Sequence, residues 1–170
     1  MPAVPNALLG FLIGQIVLQA QVDSVWWPYF FTADSLKSKV VASTRVDSET
    51  FYRLLANSPS RFDYFNLAIV VLVLVSLVGG IIQHPAKKVA NGISTFFFSL
   101  AIIIHLIFAR GYISEFQTKS FLTAEAQAQK LSSISFFNLI VLVLVTLTAV
   151  IQISADEQEE DRALKSKKRN

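Results

Sequence analysis

The chain has 170 residues, of which 53% are hydrophobic and only 16% are charged, and this apolar share indicates one domain embedded in a lipid bilayer. The net charge is only +3, and acids are interleaved with the basic residues of the two longer loops, so no continuous basic face is present and a nucleic-acid-binding protein is excluded. The chain has no cysteine, which excludes disulfides, thiol nucleophiles and thiolate metal sites.

Four long runs with almost no charge predict transmembrane helices, because about 20 apolar residues cross a hydrocarbon core of roughly 30 Å. The predicted spans are residues 6–22, 66–83, 92–109 and 134–153. Their β-branched residues do not argue against helix, since in lipid each backbone group must be bonded within its own segment. The first span lacks the basic start and the cleavage site of a signal peptide, so we predict a retained helix.

The connection after the first span contains two recognisable segments. Residues 26–31 (WWPYFF) follow the predicted helix end, where an aromatic belt at the membrane interface is expected. Residues 48–58 predict a short amphipathic helix, with Ser48 as its cap and Phe51, Leu54 and Leu55 on one face. Pro59 is expected to end this helix.

The arrangement of charge predicts the orientation. The short loop between the second and third spans carries Lys87 and Lys88 without an acid, which favours the cytosol for that loop. Four spans then place both termini in the cytosol and the two longer loops in the lumen. We expect residues 1–155 to form an all-α, four-helix transmembrane bundle and residues 156–170 to form a short charged cytosolic tail.

The predicted tail has two features that suggest recognition. Lys167 and Lys168 occupy the fourth and third positions from the end, the dilysine pattern that retrieves membrane proteins to the endoplasmic reticulum. A basic end attracted to anionic lipid is the alternative. Residues 156–161 (DEQEED) are typical of a solvated helix or a disordered stem, and a contact with vesicle coat components is a further alternative.

Polar and small residues within the spans are candidate helix contacts, because amides bond between helices and small residues let backbones approach. The candidates are Gly10, Gly14, Gln15, Gln19, Asn66, Gly79, Gly80, Gln83, His105 and Asn138. His105 is interpreted as a bonded interhelical histidine, although an ionisable group within a span is also a functional candidate. The partner of the glutamines is either another helix of this chain or a helix of a client.

No catalytic, cofactor or metal site is predicted, and the chain is not expected to be an enzyme. Carboxylates are assigned only to loops and tail, so no catalytic pair is expected inside the membrane. A pair such as Asp47 and Glu49 in the first long loop is the alternative.

Four segments, taken in chain order, carry a family resemblance: LLGFLIGQ from Leu8, FYRLLANSP from Phe51, SLVGGII from Ser76 and NLIVLVLVTLTAVIQI from Asn138. The chain resembles the fungal endoplasmic-reticulum packaging chaperones for amino-acid permeases, a family of small four-span membrane proteins. The resemblance implies a resident protein that shields partly folded permeases and helps to bring them to vesicle coats. The tail is shorter than the long charged tails of that family. A permanent structural subunit of a larger membrane complex is the alternative function.

Overall fold

The computed structural model describes residues 3–31, 42–118 and 123–167, and within these residues it contains helices and turns but no strand. The α-helices are α1 (Ala3–Asp23), α2 (Ala42–Ala56), α3 (Ser60–Gln83), α4 (Lys88–Ile104), α5 (Arg110–Thr118) and α6 (Ala124–Lys167). Four helical segments are long and apolar enough to cross a membrane, and they contain the four predicted spans. The predicted all-α, multi-pass membrane fold is confirmed.

The last helix is much longer than the membrane it crosses. α6 has 44 residues, which at 1.5 Å per residue is roughly 66 Å, about twice the thickness of a hydrocarbon core. Its N-terminal part occupies a region predicted to be a loop, and its C-terminal part continues the fourth span as helix through the acidic run. The sequence left a solvated helix and a disordered stem as alternatives for this acidic run, and in the structure it is helical. Lys167 is the final residue of α6, and Lys168 lies outside the described residues.

The second and third spans form a hairpin. A 3-10 turn, Pro85–Lys87, separates α3 from α4, because proline has no N–H with which to continue the preceding helix. α4 continues through a π-helical turn, His105–Ala109, directly into α5. Such π turns are rare in proteins, and many of those that occur lie at functional sites. We call the end of the bundle with this hairpin turn the terminal end, and the end with α2 and α5 the loop end.

The bundle is arranged around α6. This helix packs along α1 and α4, and α3 packs against α4 and, less extensively, against α1. α3 therefore lies across the bundle from α6. The core between the spans is apolar and includes Leu9, Leu12, Val73, Leu77, Phe98 and Val145.

Only one of the four candidate contact glycines provides a close approach between helices. A Cβ on Gly80 would lie 2.7 Å from Asn91 Nδ2 of α4, so the absence of a side chain there is required. Gly10, Gly14 and Gly79 would meet nothing within 4 Å among the described residues. The prediction that these three glycines make close contacts between helices of this chain is therefore wrong. The spacing of small residues shows that they share one helix face, but it does not show which way that face points.

The loop end has a second core of its own, built by the 3-10 helix Ser24–Tyr29 that follows α1, by α2, by α5 and by the start of α6. Its buried side chains are Trp26, Tyr52, Ile113, Phe116, Ala128, Leu131 and Ile134. Trp26 is 0% exposed, and its Nε1 donates to Ser48 Oγ at 3.3 Å. The aromatic-belt interpretation is therefore wrong for Trp26, although Trp27 and Phe31 remain exposed.

α2 confirms the predicted amphipathic helix but differs in its start and its buried face. It begins at Ala42, so Ser48 is a buried residue of the helix interior and not a cap. Tyr52 is buried one turn later, whereas Leu54 is 70% exposed. The buried face is determined by the polar partners that Ser48 and Tyr52 find at the loop end. The helix ends before Pro59, as predicted.

Candidate functional site

A cavity of about 420 Å³ lies in the loop-end half of the bundle. α1, α3, α4, α5 and α6 line its walls, and Leu55 and Ala56 of α2 line it from the loop end. Most of the lining is apolar and includes Phe98, Val141 and Val145. Its size falls within the range of ligand pockets in proteins.

The cavity reaches the outer surface of the bundle. Tyr64, Leu67 and Leu106 all line it and are 70%, 54% and 54% exposed. Leu67 and Leu106 belong to the membrane-spanning segments of α3 and of the π turn. The opening therefore faces lipid and is accessible to a neighbouring membrane helix.

Three side-chain amides line the cavity: Gln15 and Gln19 of α1 and Asn66 of α3, which we call the amide cluster. Gln15 Nε2 donates to Asn66 Oδ1 at 3.2 Å, and this bond joins α1 to α3. Within the described part of the chain, Gln15 Oε1, Asn66 Nδ2 and the Gln19 side chain have no hydrogen-bond partner. The cluster therefore offers both donors and acceptors inside a mostly apolar cavity.

His105 also lines the cavity, at the first residue of the π turn. Its side chain makes no hydrogen bond to any residue that the structure describes, so the expected interhelical bond is not formed there. The imidazole adds a further polar group to the same wall.

An ion pair spans the loop end of the cavity. Arg110 Nη1 and Nη2 donate to Asp63 Oδ1 and Oδ2 at 3.0 and 2.7 Å, which joins the start of α5 to α3. Both side chains line the cavity, and we call them the mouth ion pair. Because both groups are more than a third exposed, the pair contributes little stability. It does leave the cavity without an uncompensated charge among its described lining residues.

A buried carboxylate fixes the loop-end cap over this cavity. Asp23, 1% exposed, accepts hydrogen bonds from Tyr52 Oη, from Ser135 Oγ at 2.8 Å and from Asn138 Nδ2 at 2.9 Å. Burial and the neighbouring Asp23 carboxylate raise the pKa of Tyr52 far above its usual range, so the hydroxyl stays a donor. α2 is thereby tied to α1 and α6, which keeps Leu55 and Ala56 over the cavity.

This network differs from the sequence prediction. The sequence predicts a loop position for Asp23, but Asp23 is the last residue of α1 and is buried against α6. Two features of the sequence could have indicated the network. Asp23 directly follows the first apolar run, and Asn138 lies near the start of the fourth apolar run. The structure brings this candidate contact to Asp23 and keeps it away from the cavity.

The terminal end holds a separate polar cluster. Lys87 is 8% exposed and contacts Asp156 and Glu159 of α6, each at 2.5 Å. Gln152 Nε2 donates to Asn91 Oδ1 at 3.1 Å and to Ser94 Oγ at 2.9 Å. The ion pairs fix the start of the tail against the hairpin turn, and the bonds of Gln152 join the fourth span to α4. Gln83, the remaining candidate contact, is exposed and does not line the cavity.

Among residues 3–31, 42–118 and 123–167, no three histidine, aspartate or glutamate side chains converge in a way that could hold a metal ion. Comparison of the chain with family models, with curated proteins and with solved structures gives no match.

Proposed function

We propose that this protein is a chaperone of the endoplasmic-reticulum membrane, with no enzymatic activity of its own, that assists the folding and exit of polytopic transporters such as amino-acid permeases. The observation that carries the proposal is the lipid-facing cavity with its incompletely bonded amide cluster. The resemblance of the four sequence segments to permease-packaging chaperones supports the same class of client.

The physical need for such a protein follows from the bilayer. Transporter helices carry polar groups that have no water to bond in the hydrocarbon region, so they remain costly until the correct partner helix arrives. A cavity with amide donors and acceptors satisfies these groups in the meantime. An interhelical hydrogen bond in a bilayer contributes only about 0.6 kcal/mol on average, which permits release once the client folds.

The proposed orientation places the terminal end in the cytosol and the loop end in the lumen. Lys87 and Lys88 at the hairpin turn support it through the positive-inside rule. The tail then extends α6 into the cytosol, where coat components have access to its acidic run. Lys167 and Lys168 would return the protein to the endoplasmic reticulum after exit.

The first test is purification of the tagged protein at native expression in mild detergent, with quantitative mass spectrometry of the proteins that accompany it. We expect several amino-acid permeases at low and variable ratios to the chain. A single partner set at a constant, near-equal ratio would overturn the proposal and make this chain a structural subunit of a larger membrane complex.

The second test connects the role to the cavity. The double substitution of Gln15→Leu with Asn66→Leu removes two members of the amide cluster at nearly constant volume, and it is expected to retain permeases in the endoplasmic reticulum. Gln21→Leu is the matched control, because Gln21 is exposed on α1 and does not line the cavity. Equal permease export in both variants contradicts a role for the cavity.

A further inference from the structure

The chemistry of the cavity narrows what it can hold. Its bonding capacity lies in neutral groups, which are the amide cluster, the imidazole of His105 and the hydroxyl of Tyr64 at the rim. Its two charged lining groups belong to the mouth ion pair and bond to each other through the two terminal guanidinium nitrogens and both carboxylate oxygens. A ligand therefore meets free neutral donors and acceptors, and it meets charges that already have partners.

We propose, building on the chaperone function proposed above, that the cavity binds uncharged hydrogen-bonding side chains of client transmembrane helices, those of Asn, Gln, Ser and Thr, and discriminates against charged ones. A client amide can donate to Gln15 Oε1 and accept from Asn66 Nδ2, two groups left without a partner in the described part of the chain. Each new bond satisfies a polar group on both sides at once.

The volume of about 420 Å³ sets how the client binds. It holds a few side chains and not a whole helix, whose diameter with side chains is about 10–12 Å. The client helix therefore packs on the exposed rim at Leu67 and Leu106 and inserts its polar side chain between them.

Charged side chains fit this cavity poorly. A client lysine needs a carboxylate, but the only carboxylate in the described lining is Asp63, which is held by Arg110. A lysine that took Asp63 from Arg110 would exchange one exposed ion pair for another and gain little. Because an ammonium group also loses its hydration when it enters a mostly apolar cavity, a client lysine gains nothing from entering.

A lipid acyl chain is a weaker match than a polypeptide side chain. It fits the apolar walls, but it offers no donor or acceptor to the amide cluster. The amide groups would then be buried against hydrocarbon without new partners, which is unfavourable. The chemistry therefore favours a client helix with a polar residue over a bound lipid.

The test uses the full-length chain in lipid nanodiscs with a photoreactive benzophenone side chain in place of Leu106. The probes are biotinylated leucine-rich transmembrane peptides that differ only at one central residue, which is Asn, Leu or Lys. We expect the Asn peptide to crosslink roughly eightfold more than the Leu peptide, as two interhelical hydrogen bonds in a bilayer imply. The Lys peptide should crosslink no more than the Leu peptide.

Two controls show whether the preference belongs to the cavity. A benzophenone at Val75, which is exposed on α3 and does not line the cavity, should crosslink the Asn and Leu peptides equally. Gln15→Leu combined with Asn66→Leu should abolish the preference at Leu106, whereas Gln21→Leu should keep it. Three results would each overturn the inference. The first is equal crosslinking of the Asn and Leu peptides to the protein with an unsubstituted amide cluster, and the second is more crosslinking of the Lys peptide than of the Leu peptide. The third is crosslinking to phospholipid in place of peptide.

The peptide assay and the cellular assay fail independently. If permease export depends on Gln15 and Asn66 but the peptides show no preference for Asn, the chaperone function stands and the proposed selectivity is wrong. If the Asn peptide binds selectively but permeases do not accompany the purified protein, the selectivity stands and the chaperone function is wrong.

Discussion

Replacing Tyr52 with phenylalanine removes one hydroxyl from the buried network and leaves the aromatic ring in place. Tyr52 is 0% exposed, and its hydroxyl donates to the Asp23 carboxylate and accepts from Asn138 Nδ2 at 3.1 Å. Because a hydrogen bond to a charged group contributes about 1.5–3 kcal/mol, we expect Tyr52→Phe to lower the free energy of unfolding by about 2 kcal/mol. For a chain of this length that is a fall of roughly 4–8 °C in Tm.

The assay is thermal unfolding of the purified protein in one detergent, followed by circular dichroism. Tyr64→Phe is the matched control, because Tyr64 is 70% exposed and its hydroxyl bonds to no residue within the described ranges. This control should shift Tm by less than about 2 °C, as surface substitutions do. Equal Tm values for the two variants would refute the reasoning that the network holds α2 in place.

The unsubstituted protein and Tyr52→Phe should also differ in how their stability depends on pH. The pKa of Tyr52 is raised in the folded state above its ordinary value of 10.0, so the unfolded chain loses the proton first. The stabilisation is therefore complete below about pH 10 and decreases as pH rises above it. The difference in Tm between the unsubstituted protein and Tyr52→Phe should stay constant from about pH 6 to 9 and shrink at higher pH.

The terminal end offers three further tests. Gly80→Ala should lower the free energy of unfolding by about 1–3 kcal/mol, because the new Cβ displaces a buried asparagine of α4. The matched control Gly79→Ala places its Cβ in open space and should leave the free energy of unfolding unchanged or raise it by up to about 1 kcal/mol. Equal Tm values for the two variants would contradict the close approach at Gly80. Lys87→Gln removes both ion pairs between the hairpin turn and the tail. If these pairs contribute about 1 kcal/mol to local stability, amide hydrogen exchange in α6 beyond the span should become roughly fivefold faster. Unchanged exchange would show that the ion pairs do not hold the tail. Lys167→Ser combined with Lys168→Ser should shift the protein to later secretory compartments in fluorescence microscopy, and an unchanged distribution removes the retrieval signal.

The candidate site could be predicted only in part. Gln15, Gln19 and Asn66 were recognisable as contact residues, because an amide in lipid requires a partner. Their meeting in one cavity was not predictable, since it depends on α3 lying across the bundle from α6. Asn138 has the same chemistry as Asn66 but bonds Asp23 at the loop end.

The sequence by itself determined the number of spans, their approximate positions and the membrane class of the protein. These follow from the cost of placing charges and unbonded backbone groups in hydrocarbon, which is local to each segment. The existence of α2 and its end before Pro59 were local in the same way.

Only the tertiary structure decided which way each face points. Gly80 contacts α4 while Gly10 and Gly14 face outward, and Tyr52 is buried while Leu54 is exposed. In each case the residue type was compatible with either environment, and the outcome depends on a partner distant in sequence. The physical reason is that lipid accepts any apolar face equally, so helix rotation is set by packing and hydrogen bonds between segments and not by hydrophobicity.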